Sequence, residues 1–172
     1  MNLALKHTLI FIGYFFAQVL IFNNFTILEI ATAHVYILAL LIIPVQTPFA
    51  LLITIGFVGG MLIDVFSTGV FVGGHSFSAV LMLALRNFWV FAFTNRVTFK
   101  GNESHLIQSQ PLVWQLQYIL PLILIYEISY QLLEAFSFDN LGLTILKIVS
   151  SVIFTGGISL ILIYWIHRGS RR

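Results

Sequence analysis

Cysteine does not occur in the 172 residues, so a disulfide framework, thiol catalysis and a thiolate metal site are all excluded. Charge is nearly as scarce. Asp, Glu, Lys and Arg make up 8% of the chain, against about 25% in a soluble protein. Six acidic and eight basic side chains cannot cover the surface of a water-soluble fold of this length. There is no Walker-type phosphate loop, no nucleotide-binding fingerprint and no His-Glu-x-x-His. A net charge of +2 is too small to imply nucleic acid as a partner. What the chain does have is apolar bulk, 59% of its residues. The apolar runs lack the alternation of barrel strands, so the fold class is all-α integral membrane, with 1–172 as a single polytopic membrane domain.

The few charges divide that bulk. Charge-free runs of 22, 34, 21, 23 and 20 residues begin at His7, Ile30, Val65, Ser104 and Ile148. A bilayer core of about 30 Å takes about 20 apolar residues in a helix, so four of these runs each hold one span. The 34-residue run Ile30–Ile63 is too long for one crossing, and Pro44-Val45-Gln46-Thr47-Pro48 inside it signals a turn. A helical hairpin follows. The expected map is a six-transmembrane-helix bundle with helices near 8–23, 31–44, 48–65, 75–95, 112–135 and 142–166. Fourteen residues give the second only ~21 Å, so it must be partly re-entrant or flanked by protein. Pro121 should kink the fifth. Asn95–Pro111 is the only long polar loop.

Orientation follows from the basic residues. With the N-terminus inside, the cytoplasmic segments hold Lys6, Arg96, Lys100, Arg168, Arg171 and Arg172, while the opposite loops hold Glu29 and Asp139, with Lys147 the only basic residue nearby. This positive-inside bias places both termini in the cytoplasm, which requires an even number of spans. Ala31-Thr32-Ala33 lies too far beyond the first apolar run to be a signal cleavage site.

Ionisable residues inside the hydrocarbon are costly and need a partner. Arg86 falls near the midplane of the fourth helix and Glu127 a little outward of the middle of the fifth, so an Arg86–Glu127 ion pair that fixes helix register is expected, with Asp64 as the competing partner of Arg86. A proton relay would need more titratable groups in line. Gly56, Gly60 and Asp64 recur at i, i+4, i+8 and share one face of the third helix, a small-residue stripe suited to close packing against another helix, from this chain or a partner. Gly156-Gly157 in the sixth helix is its candidate counterpart. His75, after Gly73-Gly74, lies where it can brace the loop near Asp64. The other histidines, His7, His34, His105 and His167, read as side chains at head-group level, with His34 at the wet interface and no pair at metal-ligand spacing. Gly74-His75-Ser76-Phe77 resembles the Gly-x-Ser-Gly of intramembrane serine proteases, but Phe77 stands in place of the last glycine. No catalytic, cofactor or metal site is expected.

Several of these residues carry a family resemblance. Gln18-Val19-Leu20-Ile21-Phe22-Asn23-Asn24, then Val35-Tyr36-Ile37 running to Pro44, then Gly56-Phe57 to Gly60, Asp64-Val65-Phe66-Ser67, Gly73-Gly74-His75 and Arg86 together resemble the rod shape-determining membrane protein family MreD in its Bacteroidota form. The chain departs from the family at Ala33-His34, where relatives often have proline before the aromatic, and at Asn87, where they often have proline after the arginine. The resemblance implies a fold similar to the substrate-binding subunits of energy-coupling-factor transporters. It also implies a non-enzymatic role in the cell-elongation machinery of the bacterial cytoplasmic (inner) membrane. The implied partners are an MreC-like single-pass membrane protein, the MreB-like cytoskeleton and, through them, RodA with its class B penicillin-binding protein.

Two functions are therefore weighed. One is a scaffold whose bundle docks partner transmembrane helices and regulates peptidoglycan synthesis and cell shape. Its cytoplasmic contacts would fall on 95–111, the basic tail Arg168–Arg172 being a plain anchor beside anionic lipid. The other is the solute (vitamin)-binding subunit of an energy-coupling-factor transporter, with an outward pocket near Tyr36, Asp64 and His75. Gly13 and Ala17 on the first helix match only weakly the small-residue motif that docks an energising module.

Overall fold

Pro48 is extended (ψ 135°) and releases the chain into an uninterrupted apolar helix, Phe49–Phe66, that ends where Ser67 returns to extended backbone. The rest of the computed structural model is built from similar pieces and describes residues 3–24, 26–27, 30–67, 72–94, 111–135 and 140–169. In chain order they are α1 (Leu3–Leu20), a single 3-10 turn (Phe22–Asn24), β1 (Thr26–Ile27), β2 (Ala31–Thr32), α2 (Tyr36–Leu41), α3 (Phe49–Phe66), α4 (Gly74–Thr94), α5 (Leu112–Ala135) and α6 (Leu141–Gly169). Glu29, Asp139, Arg96, Lys100, His105, Arg171, Arg172 and residues 95–110 of the expected cytoplasmic loop lie outside the described residues, as do the side chains of Lys6, His7, His167 and Arg168.

Among the described residues, four helices are long and apolar enough to cross a membrane: Phe49–Phe66, Gly74–Ala92, Leu112–Ala135 and Leu141–Tyr164. The apolar part of α1, Leu9–Leu20, is shorter. These elements make a mostly helical membrane protein. The expected helices at 48–65, 75–95, 112–135 and 142–166 agree with α3 to α6 within a few residues, and α5 runs on through Pro121.

The expected helix at 31–44 is the principal departure. Only Tyr36–Leu41 is helical, and six residues rise about 9 Å. Before it, β2 pairs antiparallel with β1 (Thr26 opposite Thr32, Ile27 opposite Ala31), and Ala33–Val35 continue outside regular helix. Pro44 forbids the helix from continuing beyond Ile42–Ile43.

Packing explains how such a segment survives. α3 lies along α4, α4 along α5 and α5 along α6, while α1 covers α2 and α6 rests on β2. Every residue of α2 is buried, so the short helix is enclosed by its neighbours rather than by lipid. The core centres on it: Tyr36, Ile37, Leu40 and Leu41 meet Leu52 and Ile63 of α3, Met82 and Leu83 of α4, and Tyr118, Leu122 and Tyr126 of α5. The opposite faces of α1, α3, α4 and α6 present Phe16, Val65, Phe88 and Ile153 outward, as a bilayer-embedded surface requires.

The third and fourth helices meet closely because α3 carries glycine where α4 crosses. A Cβ on Gly60 would stand 2.4 Å from Ser76 Cα, and one on Gly56 2.6 Å from Leu83 Cδ1. Gly73 adopts φ 103°, a left-handed conformation that glycine takes without strain, and turns the chain into α4. The stripe Gly56–Gly60–Asp64 thus packs against the chain's own α4.

Candidate functional site

A segment that is not helical throughout leaves backbone donors and acceptors that lipid cannot satisfy. Here side chains from four helices satisfy them, forming a buried polar girdle around residues 32–43. At the start of α2, Gln18 of α1 uses its whole amide. Its Nε2 donates to Ala33 O and Asn23 Oδ1, both at 2.9 Å, and its Oε1 accepts from Val35 N at 2.6 Å and Tyr36 N at 3.3 Å. From the other side, Thr32 N donates to Ser151 Oγ and His34 N to Thr155 Oγ1, each at 3.1 Å. Ser151 and Thr155 are one turn apart on α6, so one face of that helix serves two peptide groups.

At the far end of α2 the donors are Arg86 and Tyr118. Tyr118 Oη donates to Leu41 O at 3.0 Å. Arg86 Nη2 donates to Ile43 O, and its Nε to Tyr118 Oη at 2.7 Å. The guanidinium is fully buried and sits where a helix C-terminus concentrates negative partial charge, which suits a cation. Its Nη1 has no hydrogen-bond partner among the described residues.

Arg86 therefore does not pair with Glu127, correcting the expected ion pair. Glu127 lies nine residues further along α5 than Tyr118, about 14 Å of rise. Its Oε1 shares a 2.8 Å hydrogen bond with His34 Nδ1 and accepts from Thr155 Oγ1 at 3.3 Å. This is the one ion-pairing contact among the described residues. Glu127 is 0% exposed and its Oε2 is without a partner among them. His34 is buried inside the bundle and is not the exposed head-group-level side chain expected from sequence.

Asp64 is not the alternative partner of Arg86 either. Its Oδ1 accepts from His75 N at 3.0 Å, and its Oδ2 accepts from Ser76 N at 3.1 Å and Ser76 Oγ at 2.8 Å. A carboxylate from α3 thereby takes up the free amides at the start of α4, where the helix dipole favours a negative charge. His75 does meet Asp64, through its peptide N–H. Its ring instead turns inward, stacks on Tyr130 with centroids 4.3 Å apart, and meets His34 edge-on at 5.1 Å. His75 Nδ1 shares a short hydrogen bond with Tyr126 Oη, which is 2.9 Å from Tyr36 Oη.

The girdle thus gathers His34, Tyr36, Asp64, His75, Ser76, Arg86, Tyr118, Tyr126, Glu127 and Thr155; the sequence had singled out Asp64, His75, Arg86 and Glu127 as site residues, and Tyr36, Ser76 and His34 only as a pocket residue, a motif serine and a head-group side chain. Tyr118, Tyr126 and Tyr130 recur at i, i+8, i+12 on one stripe of α5, a periodicity that marks them as inward-facing. Chemically the arrangement anchors backbone. Ser76 Oγ gives its proton to the capping Asp64, and His34 is occupied by Glu127. Gly156, the expected counterpart of the α3 stripe, instead faces Leu120 of α5, while Gly157 meets open space. No group of three metal-ligating side chains occurs among the described residues. Compared with family models, with curated proteins and with solved structures, the chain matches none.

Proposed function

We propose that the protein is a non-enzymatic membrane scaffold of the bacterial cell-elongation machinery, acting in the cytoplasmic membrane and docking the transmembrane helix of an MreC-like partner. The observation that carries this reading is the use made of the polar side chains. Gln18, Arg86, Tyr118, Ser151 and Thr155 hold the backbone of one internal segment. That use favours a rigid body with a fixed outer surface over a solute path.

In this reading the chain crosses the membrane six times, the second crossing being the mixed segment 31–44, and both termini are cytoplasmic. The fold is then that of the substrate-binding subunits of energy-coupling-factor transporters without their solute. With Gly56, Gly60 and Asp64 turned inward, docking falls to the outward face of α3, where Phe57, Met61 and Val65 stand exposed at i, i+4, i+8. MreB, RodA and the class B penicillin-binding protein are then reached through the partner. The transporter reading needs an opening at Tyr36, Asp64 and His75. Tyr126 and Tyr130 stack there against the His75 ring, which speaks for a filled core.

Depletion of the protein in its host, scored by cell shape with and without added vitamins, tests the proposal. Rods that widen or round up despite the supplement are the expected outcome. Rods of normal shape whose growth depends on one vitamin would replace the scaffold with a transporter subunit.

A further inference from the structure

The polar groups of the girdle serve the interior, but a second polar cluster lies apart from it, where α5 ends and α6 begins. Gln131, Glu134, Asn140, Thr144 and Lys147 line a cleft of about 220 Å³ there, with Leu143 on its rim. Helix ends in a membrane protein lie near head-group level, so the cleft meets the polar part of the bilayer. Glu134 and Lys147 do not pair with each other across it, His34–Glu127 being the one ion-pairing contact among the described residues. Gln131 is only 3% exposed as a residue, and it lines the cleft between the two charged groups.

The two walls differ in electrical sign. The α5 wall carries Glu134 and the negative end of a helix dipole, while the α6 wall carries Lys147 and the positive end of one. A single anion would satisfy one wall and be repelled by the other. A small zwitterion satisfies both, with Gln131 between them offering Oε1 to an ammonium and Nε2 to an anion. Apolar surface runs inward from the cleft along α5, and apolar side chains flank the cleft at the start of α6. Leu124 and Ile128 precede Gln131 on its own stripe and are 41% and 38% exposed, and Leu143 and Leu146 on α6 are 57% and 49% exposed. Such a furrow suits acyl chains.

We propose that this cleft binds the ethanolamine–phosphate head group of a membrane phospholipid, the primary ammonium at Glu134 and the phosphate at Lys147. A quaternary choline has no N–H to give Glu134 or Gln131, and a glycerol head group offers no cation, so the cleft selects among lipids by head group.

The test uses the full-length chain in nanodiscs, with ethanolamine, choline and glycerol phospholipids of matched acyl chains in competition and bound lipid read by native mass spectrometry. Ethanolamine lipid is expected to be retained about tenfold over choline lipid, the worth of one charge-assisted hydrogen bond. Glu134→Gln should erase that discrimination. Lys147→Gln should weaken every phosphate-bearing lipid, and Lys147→Arg should retain binding, with thermal unfolding of each variant separating lost binding from lost fold. Equal retention of the three lipids, or a preference for ethanolamine that survives both Glu134→Gln and Lys147→Gln, overturns the proposal. Free phosphoethanolamine binding as tightly as the lipid overturns the membrane source in favour of a soluble ligand. Weaker binding by the free head group, through loss of the furrow contacts, supports it.

Discussion

Arg86 shows how a buried charge is held without a counter-ion among the described residues. Its neighbours are a phenol and the carbonyl at Ile43, dipoles arranged with their negative ends toward the guanidinium. Replacing it with Met should lower stability by about 3 kcal/mol, because Tyr118 and the end of α2 lose their donor and a large side chain leaves a cavity. Double-mutant cycles read by unfolding in detergent locate its partner. Arg86→Met and Tyr118→Phe should be strongly non-additive, whereas Arg86→Met and Glu127→Gln should add within about 0.5 kcal/mol. Rescue of Arg86→Met by loss of Glu127 would restore the ion pair expected from sequence. Hydropathy places both charges correctly within their helices, but it carries no information on which way each side chain turns. Nor can local spacing join His34 to Glu127, since 93 residues separate them. The tyrosine stripe of α5 was the readable sign that its inner face is polar and crowded.

At the level of elements, α3 lies close against α4, and Gly60 permits it. Gly60→Ala puts a methyl group into the backbone at Ser76, which has no flexible end to move aside. We expect a loss of about 1–3 kcal/mol from overpacking, visible as a lower midpoint in thermal unfolding of the isolated protein. Gly157→Ala is the matched control, since its methyl meets nothing within 4 Å. It should be neutral or stabilise α6 by about 0.5–1 kcal/mol through helix propensity. Equal losses at both positions would dismiss the packing explanation. The boundaries of α3 to α6 were legible because single charges, Pro48 and the glycines before α4 punctuate long apolar runs. α2 was not, because Val35–Ile43 is apolar throughout and apolarity alone does not distinguish a buried strand from a buried helix. Only its shortness betrayed it.

For the whole molecule, the segment from Thr32 to Ile43 depends on groups supplied by α1, α4, α5 and α6. Its protection against hydrogen exchange should report the integrity of the entire bundle rather than of one helix. Thr155→Val and Ser151→Ala together remove the acceptors of two amides. Exchange at Thr32 and His34 should then accelerate, by about 1 kcal/mol for each lost bond, while α3 and α4 keep their protection. Uniform loosening would show that these contacts support more than their own segment. The same long-range ties constrain how the protein is made. Helices of a membrane protein enter the bilayer in the order of synthesis, yet His34 finds Thr155 121 residues later. Until the last helix arrives, the peptide groups around Thr32 and His34 must stay hydrated at the membrane surface or borrow transient partners. The segment around α2, early in the sequence, is therefore among the last to be completed, and a ribosome that stalls before α6 leaves an unfinished bundle with its polar seam open to lipid and to quality-control proteases.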